Sequence, residues 1–190
     1  GDYVFTGSSN LKSIYINENG YGSDFAPTSN SFNGITATIY YPRGSWSYSS
    51  TRNNSYGGTI TWQEADFGTC GPNAKWSYNP NTKALTISGS GRICGSYFAG
   101  IDHPWGAFCG EILSIRVQEG ISNIPSYTFE HCESATSIVL PTTLTKIDLN
   151  AFNDCGSLNN LVLPNSIGFG TSSYNTSFIR CESLTDVYYF

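Results

Sequence analysis

The chain holds no methionine, only two histidines and only nine lysines and arginines in 190 residues. Those few cations stand against fourteen acids, for a formal net charge of −5. With no basic cluster either, the chain has little to offer a phosphate backbone, so nucleic acid is not expected as a partner. No apolar run reaches the roughly 18 residues of a membrane-spanning helix, and membrane insertion is not expected. The histidines and cysteines show no C-x-x-C or H-x-x-x-H spacing, and the acids form no EF-hand and no paired-carboxylate arrangement. Neither a metal nor another cofactor is therefore expected. The missing initiator suggests processing upstream, which leaves localisation unread from any leader.

Aromatic and turn-forming residues take up the space that charge leaves. Aromatics reach 15% while charged residues stop at 12%, and there are 20 glycines. That balance favours short strands joined by many turns over long helices.

A repeat organises the second half. Phe129-x-x-Cys132-x-Ser134-Ala135-x-x-Ile138-x-Leu140-Pro141-x-x-Leu144-x-x-Ile147 returns as Phe152-x-x-Cys155-x-Ser157-Leu158-x-x-Leu161-x-Leu163-Pro164-x-x-Ile167, 23 residues later. A third pass, Phe178-x-x-Cys181-x-Ser183-Leu184-x-x-Val187, follows after 26, with the surplus placed in an enlarged loop over 168–176. Ile112, Ile115, Val117, Ile121 and Ile124 carry the register back to about residue 112, and Phe5-x-x-Ser8-x-Asn10-Leu11-x-x-Ile14-x-Ile16 repeats the phrase near the start. A unit of this length with an apolar-x-apolar pair cannot bury its face alone. Stacked coils with parallel strands about 4.8 Å apart are the solution it predicts. Ile115/Val117, Ile138/Leu140, Leu161/Leu163 and Val187/Tyr189 would then point inward.

The phrase resembles the BspA-like leucine-rich repeat family of bacterial surface proteins, whose coils carry F-x-x-C-x-S-L-x-x-I-x-L-P. The likeness covers 112–190 well and 3–16 in part. It implies a mostly β, leucine-rich-repeat solenoid and a fragment of a larger protein. It further implies a secreted or cell-surface location on an anaerobic gut or oral bacterium, and adhesion to a host or matrix protein. The segments between the repeats resemble family caps. Residues 32–62, with strand-like Thr36–Tyr41 and Thr59–Trp62, read as the closing strands of a first block spanning 1–62. Cys70-Gly71-Pro72-Asn73-Ala74-Lys75-Trp76, a Pro/Asn turn at 79–83 and Leu85-Thr86-Ile87-Ser88-Gly89 read as a hairpin. Followed by Pro104-Trp105, it forms an amino-side cap over 63–110 for repeats at 111–190.

Cysteine chemistry is weighed against packing. Cys132, Cys155 and Cys181 share one repeat position and are expected as a row of buried thiols, since side chains pointing the same way rarely meet disulfide geometry. Cys70, Cys94 and Cys109 have no place in the repeat as read from residue 112; free thiols are expected, with Cys94 to Cys109 the one bridge to consider. His131 beside Cys132, and His103 near Cys109, raise a nucleophile–base pair. Adjacent residues point apart in the first case, and the second offers no orienting group or oxyanion donor, so no catalytic residue is assigned. Asn53-Asn54-Ser55 and Asn175-Thr176-Ser177 fit a glycosylation acceptor but read as polar loops.

Alternation places Arg116, Val139, Val162 and Tyr188 on the outer face, with Ser114, Ser137, Asn160 and Asp186 beside them. Arg and aromatic side chains favour interface hot spots, so this row is the candidate partner-binding face, with ordinary solvated strand surface as the equal alternative. Tyr40, Trp46 and Tyr48 are a second candidate, an aromatic surface on which a glycan could stack, although a cap needs apolar cover and a core or lid role is the favoured reading of these rings. The expected function is non-catalytic protein binding, with a passive spacer and a carbohydrate-binding module as the alternatives.

Overall fold

The computed structural model describes residues 3–16, 27–43, 54–94, 103–169 and 176–190. The described regular structure is almost wholly strand, apart from a 3-10 helix at Gly106–Glu111. In the second half the expected hairpin is present. β5 (Asn73–Asn79) and β6 (Ala84–Arg92) pair antiparallel, and short β4 (Phe67–Thr69) adds to the outer edge of β5. Their alternation is clean: Ala74, Trp76 and Tyr78 are buried, and so are Leu85 and Ile87 opposite them.

β6 is also the first rung of the solenoid, and its glycines explain how one strand serves two sheets. Its first half pairs in parallel with β7 (Ser114–Val117), which leads on through β9 (Ser137–Val139) and β11 (Asn160–Leu163) to β13 (Asp186–Tyr189). Its end pairs instead with β8 (Ile121–Ile124), which leads to β10 (Lys146–Ile147) and β12 (Gly168–Phe169). Between the halves Gly89 has φ +97°, and a Cβ there would run into the Asn73 carbonyl oxygen. Only glycine fits so close an approach at a left-handed φ. Each coil thus carries two strands, one per sheet, and closes through the turn that holds the Phe and Cys positions. The loop expected over 168–176 opens as β12.

Ile115, Val117, Ile138, Leu140, Leu161 and Leu163 are buried as the alternation predicts. Val187 and Tyr189 differ: they stand in register with Leu161 and Leu163 but are 44% and 59% exposed. No strand beyond β13 covers them among the described residues. Behind the strands runs an aromatic ladder. Trp105, Phe129, Phe152 and Phe178 stack ring on ring at 5.6, 5.2 and 5.1 Å, and Trp76 meets Trp105 edge-on at 6.3 Å. The Trp105 indole N–H is satisfied by the Thr128 carbonyl at 2.7 Å.

His103 caps this ladder, stacked on Trp105 at 5.3 Å and wholly buried. Neither ring nitrogen has a well-formed hydrogen bond among the described residues. Burial pushes its pKa from 6.5 down to about 4, against a weaker opposing pull from the Ser126 backbone. An unfolded chain therefore binds a proton at this site near pH 6.5 that the folded chain refuses until about pH 4. Stability is complete above that window and falls through it on acidification, by about 3 kcal/mol at 1.36 kcal/mol per pKa unit. Denaturant midpoints measured from pH 7 to pH 4.5 should show this slope, and His103→Phe should flatten it. A slope unchanged in His103→Phe would disprove the assignment.

The first half repeats the arrangement on a smaller scale. β1 (Ser13–Tyr15), β2 (Thr36–Pro42) and β3 (Thr59–Ala65) form a parallel sheet, with Ile14 beside Ile39 and Ile39 beside Trp62. The segment read as closing strands is thus stacked as two further rungs on β1. Phe32 stacks on Phe5 at 5.5 Å and meets the edge of Tyr56 at 6.2 Å, a short version of the same ladder. This core, built around Phe32, Ile35 and Ile39, is separate from the larger core that begins at Cys70. The Arg43 guanidinium clamps Asp66 with both arms, at 2.5 and 2.8 Å, and lies 5.9 Å over the Tyr78 ring, tying the two halves where they meet.

Candidate binding face

The register assembles one outward row from strands distant in sequence. Phe67 pairs with Ser77, Ser77 with Thr86, Thr86 with Arg116, and Arg116 with Val139. Leu161 beside Ile138 carries Val162 alongside Val139, and Val162 pairs with Tyr188. Seven strands at about 4.8 Å spacing make this row roughly 30 Å long. Arg116 is exposed, while Val139, Val162 and Tyr188 are 44%, 41% and 57% exposed. Ser114, Ser137, Asn160 and Asp186 form the neighbouring polar row.

Phe67, which alternation over so short a strand did not single out, extends the row into an aromatic cluster. Its ring lies 6.3 Å from Tyr15 and 5.9 Å from Tyr40, which stack on each other at 5.0 Å. Tyr40 is only half-buried and joins this cluster; Trp46 and Tyr48, expected beside it, lie outside the described residues. Rings at one end and Tyr188 at the other therefore bracket two hydroxyl residues, Ser77 and Thr86, followed by Arg116 and two valines. That arrangement can bury apolar area and hold an acid against Arg116.

Residues 106–189 match the BspA type leucine rich repeat region in six copies. This part of the chain belongs to the BspA-type leucine-rich repeat family. Similar solved structures include a leucine-rich repeat protein from Eubacterium ventriosum, 19% identical over 65% of this chain and 44% of that one, with a TM-score of 0.45. A leucine rich cell surface protein from Faecalibacterium prausnitzii is 15% identical over 97% of this chain and 61% of its own, at a TM-score of 0.41. A leucine-rich repeat protein from Bacteroides capillosus is 18% identical over 66% of this chain and 99% of its own, at 0.39. The chain thus spans less than half of the Eubacterium protein. No curated protein matches it.

The cysteine row of the BspA-type coils is longer than the phrase suggested, and it is partly oxidised. Cys109 stands 23 residues before Cys132, in the same repeat position, and the two form a disulfide with Cα atoms 4.6 Å apart. This corrects both the expectation that neighbours in the row stay unbonded and the pairing weighed for Cys94. Stacked rungs bring equivalent Cα atoms to strand spacing, which falls inside the range a disulfide spans. Both cysteines considered as nucleophiles are consequently joined to each other, and His103 is packed in the core. Cys70, Cys94, Cys155 and Cys181 are thiols.

One residue before Cys132, Cys155 and Cys181, the residues His131, Asp154 and Arg180 all adopt a left-handed φ near +60°, an uncommon conformation for bulky residues. Their side chains form a small polar ladder: Asp154 lies 3.2 Å from His131 Nδ1 and 3.3 Å from Arg180. Among the described residues no three His, Cys, Asp or Glu side chains gather as a metal site would require. No helix among them is long and apolar enough to cross a membrane.

Proposed function

We propose that this module is a non-catalytic cell-surface domain that binds another protein, a host or matrix component, through its outward row. The observation that carries the reading is the continuity of that row from Phe67 to Tyr188 across seven paired strands, with two valines and a tyrosine at its centre and end left over 40% exposed. Contiguous apolar surface on a soluble domain marks contact sites, and Arg with aromatics is the composition of their hot spots. Leucine-rich repeats typically serve protein interaction, which fits. The Cys109–Cys132 bridge supports a location outside the reducing cytosol. Two separate cores support a division near residues 63–68, with 1–62 ending one block, 63–110 capping the next and 111–190 carrying its repeats.

A binding screen against host and matrix proteins, run beside a glycan array, tests the proposal. A protein ligand is expected, and Arg116→Ala with Tyr188→Ala should weaken it by at least about tenfold each, the loss typical of a hot-spot truncation. Both positions are exposed, so the variants should melt like the parent. Silence in both screens would leave a spacer, and glycan binding that survives the two substitutions would move the site to Tyr15, Tyr40 and Phe67.

A further inference from the structure

Cys109, Cys132, Cys155 and Cys181 occupy one position in four successive rungs, and only the first two are joined. The rungs are pinned on both sides of each remaining contact. His131 N–H donates to the Asn153 carbonyl at 2.9 Å and Ser157 N–H to Glu133 at 3.1 Å, flanking Cys132 and Cys155. Asp154 N–H donates to Ile179 at 2.9 Å and Ser183 N–H to Gly156 at 3.2 Å, flanking Cys155 and Cys181 in the same way. Cys155 Sγ lies 3.4 Å from the Phe129 carbonyl and Cys181 Sγ 3.3 Å from that of Phe152, the equivalent atom one rung on. The two thiols therefore take equivalent places on neighbouring rungs, each set against the ring-position carbonyl of the rung before it.

We propose that Cys155 and Cys181 are a redox site: a second staple between neighbouring rungs, closed by exchange with a small external disulfide through Cys181. Cys132 has already spent its sulfur on Cys109, so Cys181 is the neighbour left to Cys155. Access sets the order of events, because Cys155 is fully buried while Cys181, on the outermost described rung, is half-buried. Ionisation points the same way. The Cys155 thiol favours a thiolate at Cys181, lowering its pKa, while the same contact and burial raise that of Cys155. The thiolate is the attacking species in exchange.

Cys181 thiolate attacks one sulfur of the external disulfide, forming a mixed disulfide and releasing one thiolate. Cys155 then gives its proton to solvent and attacks Cys181 Sγ, expelling the second. The two cysteines are oxidised, the two sulfurs of the external disulfide are reduced, and two small thiols leave. Buried Cys70, with its thiol pushed up to about 12, is a poor competitor.

Incubation of the native protein with oxidised glutathione, acid quench and non-reducing peptide mapping provide the test. The expected product is a Cys155–Cys181 cross-linked peptide, with Cys109–Cys132 unchanged. Cys181→Ser, a near-isosteric change at a half-buried place, should leave Cys155 a free thiol under the same treatment. The bridge found already present in the purified protein would support the proposal equally, provided it reforms after reduction. It is overturned by glutathione that stays on Cys181 with Cys155 unreacted, by a Cys132–Cys155 cross-link, or by two thiols that survive excess oxidant. Glutathione entering Cys155 in the Cys181→Ser protein would also overturn it, since access through Cys181 would then be unnecessary.

Discussion

Phe152→Ala is expected to destabilise the protein by about 3–5 kcal/mol, the cost of removing a fully buried aromatic ring from a core that cannot close over the gap. Phe152 is wholly buried between Phe129 at 5.2 Å and Phe178 at 5.1 Å, so its loss leaves both neighbours facing a void. The melting midpoint should fall on the order of 10 °C for a chain of this size. The ladder's end gives an internal control. Phe178 is only partly buried, so Phe178→Ala should cost distinctly less. In a solenoid each rung contacts only its neighbours, so damage at Phe152 should show first as exchange of rungs 158–190 and leave β5 and β6 protected. Equal costs for the two substitutions, or a cost below about 1 kcal/mol for Phe152→Ala, would mean that the rings are not a stacked column.

The ladder was legible because one rung is one period. Phe129, Phe152 and Phe178 sit 23 and 26 residues apart, and stacking is the packing that such spacing allows. The outer row was readable for the same reason, since alternation within a rung fixes which of Ile138 and Val139 faces out. What escaped were rungs whose turns depart from the phrase. In the first half the strands keep register, Ile14 beside Ile39, a step of 25, while Phe5 and Phe32 are 27 apart. The turn between ring and strand is two residues shorter in the second rung, so no single offset aligns both. Cys109 escaped differently. Counting 23 back from Phe129 lands on Gly106, and the ring that fills that place belongs to Trp105, one residue earlier. A register begun at residue 112 therefore stopped three residues short of a cysteine that obeys the period. Phe67 required the three-dimensional pairing of β4 with β5, which three residues of sequence do not specify.

Reducing the Cys109–Cys132 bridge is expected to cost about 3 kcal/mol, because it releases a 23-residue loop in the unfolded chain. The bond joins the 3-10 helix after the hairpin cap to the first full repeat, so it holds the rung on which every later rung stacks. Melting with and without a phosphine reductant should show a drop on the order of 10 °C, and a Cys109→Ala/Cys132→Ala protein should melt near the reduced value and no longer respond to reductant. Cys155→Ser/Cys181→Ser as a background separates this bridge from any second one in the row. The two effects differ in kind. Loss of Phe152 opens a hole in the folded state, whereas loss of the bridge chiefly widens the unfolded ensemble. Folding rates distinguish them: if the bridge acts through the unfolded chain, reduction should slow refolding more than it speeds unfolding, provided that the loop closes before the transition state. A native protein that yields six alkylatable thiols after denaturation without reductant would remove the bridge and this prediction with it.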